Sequence, residues 1–145
     1  MKTSLGEAEL RSLTVNEFDA IVRFWYESGD EFLDYLGIDR AALGTVEDTR
    51  FRFLSAIPNG DPHQRSLAFA IMLNGEMAGY TLLNQRTPEE NYSHWHIIKP
   101  GLRGLGLSTA LYPYRVKTCF DAAPIERLIH QTRTRNVAVN RMLDR

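Results

Sequence analysis

Cysteine is nearly absent from the sequence: Cys119 is the one thiol in 145 residues. A lone cysteine excludes an internal disulfide and any multi-cysteine metal site. It sits in an apolar helical pattern, so it reads as a buried structural thiol rather than a nucleophile. Long apolar runs are missing too, since none approaches the ~20 residues that span a bilayer. The first residues, "MKTSLGEAEL", lack the apolar centre of a signal peptide. A cytoplasmic protein without membrane contact is the expectation. Nor is there an excess of either charge. Lysine and arginine total 17 against 18 aspartates and glutamates, for a net charge of −1. The molecule as a whole therefore lacks the basic field that nucleic acid requires.

What is present is ordinary globular composition, 43% hydrophobic and 24% charged, in a length suited to a single domain over residues 1–145. The charge is unevenly placed. Seven acids (Glu27, Asp30, Glu31, Asp34, Asp39, Glu47 and Asp48) stand against Arg40 between Glu27 and Asp48, whereas arginine and lysine dominate from Lys99 onward. Two solvated faces would account for this. So would a basic half that meets an anion and an acidic half that meets a cation.

Hydrophobic periodicity orders the elements. "AELRSL" alternates weakly, as a first strand. Thr14 and Glu17 have capping-box spacing ahead of Phe18, Ile21, Val22 and Trp25 on one helical face. Further helical stretches run through "EFLDYL" and "VEDTRFRFLSAI", the latter stopped by Pro58, Asn59 and Gly60. "SLAFAIML" and "EMAGYTLL" are strand-length runs joined by Asn74-Gly75, a strong hairpin signal. Gly79 within the second suggests a bulge or a close backbone approach. "RTPEEN" reads as a loop, "YSHWHII" as the next strand, Leu107 to Asp121 as a helix, "IERLIHQT" as a strand and "NVAVNRMLDR" as a helix start. Val139, Met142 and Leu143 share one face of that last helix. Pro113 should kink the helix from Leu107 or limit its length. The order, strand-helices-β-β-β-α-β-α, predicts an α/β fold with a mixed sheet and helices packed on its faces.

The segment "RGLGLST", Arg103 to Thr109, follows a strand and opens a helix. Free backbone N–H groups and the positive end of a helix dipole would converge there. Gly104 and Gly106 remove side chains that would hold a ligand off those amides, Arg103 adds charge, and Ser108 and Thr109 add hydroxyls. Such a device suits a pyrophosphate, although a plain strand-to-helix turn would also use the glycines. Two better-known phosphate loops do not fit. No Gly-Lys-Ser/Thr tripeptide is present, and Thr109 stands where a dinucleotide fingerprint has its third glycine.

The pattern Ile98-x-Pro100-x-x-Arg103-Gly104-x-Gly106-x-Ser108 resembles the acyl-CoA-binding motif of the GNAT superfamily of N-acetyltransferases. Ser108 departs from it, standing where glycine or alanine is usual. "LNGEMAGYTLL" is similar to the second and third strands of that family, and Asn136 opens a helix at the matching place. The resemblance implies a GNAT-like fold and acetyl-CoA as acyl donor, with no metal. It places pantetheine between splayed fourth and fifth strands, bonded to the backbone near His96 and Ile98. The pyrophosphate would lie on the amides of Arg103, Gly104, Leu105, Gly106, Leu107 and Ser108, with Thr109 beside them, and Asn136 would contact the coenzyme near the thioester. It further implies direct attack by a primary amine, of a small molecule or a peptide, without an acyl-enzyme.

Direct attack needs a neutral amine, hence a base or a water chain. His94 and His96 share one face of a strand with Tyr92 and Ile98, and histidine titrates near neutrality. The family resemblance makes His94 the first candidate and His96 the second, with Glu89 and Glu90 in reserve. Both histidines also fit a half-polar strand with hydrogen-bonded rings, and a His-x-His metal site lacks an evident third ligand. Leu143 occupies the position of the family's usual general acid, a tyrosine, and that role does not transfer to Tyr112 or Tyr114. The leading reading is an N-acetyltransferase. The alternatives are a CoA-binding module or truncated domain without catalysis, and a nucleotide-phosphate binder. The family continues past its fourth helix with two more strands, which need roughly 15 residues, and nine follow Asn136. The edge bounded by Ile125, Leu128 and Ile129 is therefore expected either to pair in a homodimer or to leave a weakly stable domain.

Overall fold

The computed structural model describes residues 1–144. The elements run β1 (Lys2–Thr3), β2 (Gly6–Ser12), α1 (Phe18–Tyr26), α2 (Asp30–Leu36), α3 (Val46–Ala56), β3 (Ser66–Leu73), β4 (Glu76–Thr87), β5 (Glu90–Ile97), α4 (Leu107–Ala122), β6 (Arg127–Ile129) and α5 (Val137–Leu143). Short 3-10 turns precede α1, α3 and α4. The six strands form one sheet in sequence order. Every pairing is antiparallel except β5 with β6, which is parallel. The mixed α/β sheet is as expected, with one addition: β1, which folds back on β2 in the register Lys2 to Glu7. The expected fourth strand is thus β5.

Local chemistry accounts for several joints. The Glu17 carboxylate accepts from the Thr14 backbone N–H and hydroxyl, both at 2.8 Å, and pairs with Arg11 at 2.7 Å. Asn74 and Gly75 both have positive φ, 52° and 80°, which a tight two-residue hairpin needs. Gly79 combines the two features expected of it. The β3 register slips between Ile71 and Met72 beside it, and a Cβ at Gly79 would lie 2.2 Å from the His96 carbonyl oxygen.

Alternation along β3 divides the interior. Ala68 and Ala70 face α1 and α3, where Phe18, Ile21, Trp25, Phe53 and Tyr80 pack. Ile71 and Leu73 face Leu107 and Leu111 of α4, and Leu67 and Phe69 face Cys119. Cys119 is fully buried, and burial pushes its thiol up to about 11.

Two expectations need correction. "RTPEEN" is no open loop: β4 continues to Thr87 and β5 starts at Glu90, with an irregular register between Gln85 and Thr87. The strand in "IERLIHQT" shrinks to three residues, Arg127–Ile129, because its pairing with β5 ends at Tyr92 and Ile129. The helix expected from Leu107 to Asp121 is present as Leu107–Ala122, so Pro113 does not limit its length. The carbonyl four residues back belongs to Thr109, and both residues are exposed. Water can therefore take the place of the missing N–H. None of the helices in the described residues is long and apolar enough to cross a membrane.

Candidate functional site

Where β5 and β6 stop pairing, a cleft of about 800 Å³ opens between the sheet, α2, α4 and α5. One end lies at the loop before α4. Gly104 and Gly106 adopt φ of 74° and 81°, a region that costs other residues strain. A Cβ at either position would meet no atom within 4 Å, so the space before these amides is open. Gly106 caps α4, and Leu105 is exposed. The first-turn N–H groups of a 16-residue helix thus face the cleft mouth.

The side chains around this loop are tied from behind. Arg103 folds back, donating through Nε to the Ile97 carbonyl at 3.0 Å and through NH2 to the Ile98 carbonyl at 3.3 Å. Its guanidinium stacks 4.3 Å over Phe32. The Ile98 N–H is held by the Ala78 carbonyl at 2.9 Å, so both backbone groups of Ile98 have partners within the chain. The Trp95 indole donates to Ser108 Oγ at 3.1 Å, which leaves the Ser108 hydroxyl proton for another acceptor. Thr109 and Leu107 also line the cleft.

Across from the loop, Asn136 is buried at the start of α5. Its Oδ1 accepts from the Val139 N–H at 3.4 Å and from the Tyr35 hydroxyl at 3.1 Å. Both bonds fall on the oxygen, so the amide N–H groups stay available. Val139, Met142 and Leu143 form the apolar wall beside it, the face their spacing implied.

The two histidines of β5 differ in surroundings. His96 lies among Phe24, Trp25 and Tyr80, with ring centroids 5.5, 4.8 and 5.4 Å away. Burial pushes its pKa down to about 3, and the neighbouring His94 and Arg103 charges add to the effect. His94 is half-buried on the cleft wall, its ring 4.6 Å from Tyr92. Burial holds its pKa below the usual histidine value, with Arg52 contributing. Both rings are neutral at pH 7. The reserve carboxylates lie elsewhere. Glu90 pairs with Arg127 at 2.7 Å, and Glu89 accepts from the Thr87 hydroxyl at the β4–β5 turn.

The acidic stretch does not face the cleft. Asp30 pairs with Arg40, Asp34 with Arg133 and Arg135, and Asp39 and Asp48 bond to backbone N–H groups of their own turns. Among the described residues no carboxylate lines the cleft, whereas Arg103, Arg115 and Arg133 do.

Arg115 is the residue that sequence reasoning missed. It occupies the buried i, i+4 stripe of α4 with Leu107, Leu111 and Cys119, and is itself 1% exposed. A charged residue on an otherwise apolar stripe was the available signal. Tyr35, which orients Asn136 from α2, had none, because 101 residues separate the pair.

No protein-family model matches the sequence, and no curated protein matches it. Solved structures do. RimL, a ribosomal L7/L12 alpha-N-protein acetyltransferase in complex with coenzyme A, superposes with a TM-score of 0.74 at 18% identity, covering 99% of this chain and 80% of that one. The fold is that of the GNAT acyl-CoA N-acyltransferases. An aminoglycoside acetyltransferase, AAC(6')-Ib, in complex with coenzyme A gives 0.71 at 17% identity, over 95% of this chain and 82% of that one. RimJ of Mycobacterium smegmatis in complex with CoA-disulfide gives 0.73 at 20% identity, over 97% and 69%. The GNAT fold expected from Ile98 to Ser108 is therefore the fold observed.

Proposed function

We propose that the chain is an acetyl-CoA-dependent N-acetyltransferase that passes the acetyl group directly to an amine. One observation carries this reading: the opening between β5 and β6 meets the glycine-gated start of α4 in a single cleft. In it, the amides of Arg103 to Ser108 receive the pyrophosphate, with the Ser108 and Thr109 hydroxyls beside them. The donors of Asn136 face the pantetheine. Because the Ile98 backbone is already bonded, the arm is held from this side chiefly by the strand near His96 and by apolar contact with Val139 and Met142.

His94 is assigned as the base. It borders the cleft, it is neutral at pH 7, and its lowered pKa still permits transient proton uptake. His96, enclosed by three aromatic rings, shapes the wall. The amine nitrogen attacks the thioester carbon, the C–N bond forms, the C–S bond breaks, and the amine proton leaves through His94. A cleft with arginines and, among the described residues, no carboxylate supports a neutral or anionic amine-bearing acceptor over a polycation.

A second reading, coenzyme binding without transfer, is favoured by one feature: Leu143, not a tyrosine, lines the cleft on α5. Thiol release from acetyl-CoA with a panel of neutral, carboxylate-bearing and polycationic amines tests both. Release with the first two classes is expected. Binding of acetyl-CoA with no release for any amine would replace the transferase by the binding module. The outermost position of β6 supports a homodimer paired along that edge, which sedimentation at low micromolar concentration checks.

A further inference from the structure

Arg115 carries a buried charge that nothing among the described residues neutralises. Its NH1 donates to the Ser93 hydroxyl at 2.6 Å and to Thr81 Oγ1 at 3.4 Å. Its NH2 faces the His130 ring at 3.4 Å. Its plane lies 4.4 Å from Trp95 and 5.4 Å from Tyr112. The Nε has no acceptor. All of these partners are neutral. His130 is pushed down to about 4 by burial and by Arg115 itself, a Ser93 backbone bond offsetting this only in part. The nearby Cys119 thiol is protonated at neutral pH. A buried guanidinium without a carboxylate is costly, and a well-packed leucine would ordinarily be the more stable occupant of such a stripe.

Position suggests what the charge serves. Arg115 lies eight residues beyond Leu107, about 12 Å along the helix from the phosphate-binding end. It is therefore too far along α4 to bind the pyrophosphate. It sits instead against Ser93 and His130, the residues that follow the last β5–β6 pair, Tyr92 with Ile129. There the gap closes, and on the acetyl-transfer reading a pantetheine arm entering from the helix start would end there. Coenzyme A carries no phosphate at that end. The charge that arises there is the one left on sulfur when the C–S bond breaks.

We propose that Arg115 is the residue that compensates the coenzyme A thiolate released at the closed end of the cleft. The sulfur keeps the electron pair of the broken bond, and the guanidinium faces it across the Ser93–His130 floor. The proposal rests on the acetyl-transfer reading and supplies the leaving-group side of it, where Leu143 provides no acid. A cation within about 4–6 Å of a thiol lowers its pKa by roughly one unit or more, from an ordinary value of about 8.5.

Calorimetric titration with coenzyme A and with its S-methyl thioether, over pH 6.5–9.5, tests this. The affinity of the thioether should follow the protein alone. Relative to it, coenzyme A should gain affinity with pH, approaching tenfold above the thiol's ordinary pKa. Arg115→Gln should abolish the gain while leaving thioether affinity nearly unchanged, and Arg115→Lys should retain much of it. If Arg115→Gln fails to fold, the wild-type ratio and the lysine variant still decide. Parallel pH profiles for the two ligands in the wild type overturn the proposal while leaving the transferase reading intact. Failure of both ligands to bind overturns both.

Discussion

The two ends of the cleft are built by different means. At the mouth, seven consecutive residues, Arg103 to Thr109, supply glycine φ values, helix-start amides and hydroxyls, and all but Leu107 keep some exposure. At the closed end, Thr81, Ser93, Arg115 and His130 come from β4, β5, α4 and the residue after β6, and Arg115 is sealed from water. The mouth is a local device, and on the proposed reading it meets charge already present on the coenzyme. The closed end is a long-range one, and a charge buried in low dielectric there would, on the proposed reading, act strongly on charge that appears during reaction. Binding should therefore break at the mouth, and turnover deeper in the cleft.

The largest effect is expected from Gly106→Glu. The variant forces a side chain into φ of 81° and sets a carboxylate before the amides. Acetyl-CoA should then produce no thermal shift, where the wild type is stabilised by ordinary ligand linkage. An equal shift in both proteins would move the phosphate site elsewhere. Next, His94→Ala should lower turnover by about 10²–10⁴-fold with acetyl-CoA affinity unchanged. Steady-state rates alongside calorimetry check that split, and unaltered turnover would hand proton removal to water.

A further effect concerns stability. His96 and His130 have folded pKa values near 3 and 4, below the unfolded value of about 6.5. Between those limits the unfolded chain binds more protons, so stability is full above about pH 6.5 and falls with acidification, by up to roughly 1.4 kcal/mol per pH unit for each histidine. The His130 contribution ends near pH 4 and that of His96 near pH 3. His96→Phe should roughly halve the pH dependence of the urea-denaturation midpoint between pH 6.5 and 4, His130 supplying the remainder. An unchanged acid limb would mean that His96 is not held neutral by its aromatic surroundings.

The same division governs what the sequence made legible. Thr14 with Glu17, Asn74 with Gly75 and the Arg103–Ser108 loop are contiguous devices whose chemistry is complete within a few residues, and each is present as expected. Gly79 was flagged correctly because glycine in a strand signals close approach, although its partner, the His96 carbonyl, emerged only from β4–β5 pairing. Where the structure differs, the cause lies in long-range pairing: the length of β6 depends on where β5 diverges, which the apolar content of the segment does not encode. Of the two readings of the acidic stretch, its contacts favour the solvated face: the aspartates are taken up by Arg40, Arg133, Arg135 and turn amides. Arg115 required knowledge of both a helix stripe and the strand residues beneath it.

The central claim is that this cleft holds acetyl-CoA by the amides at the start of α4. Calorimetric titration of the wild-type protein with acetyl-CoA, coenzyme A and ATP tests it most directly. The account predicts saturable one-to-one binding of both coenzyme forms and negligible binding of ATP, which lacks the pantetheine arm that fills the gap between β5 and β6. Binding of ATP as tight as that of acetyl-CoA, or no binding of either coenzyme form, would contradict it.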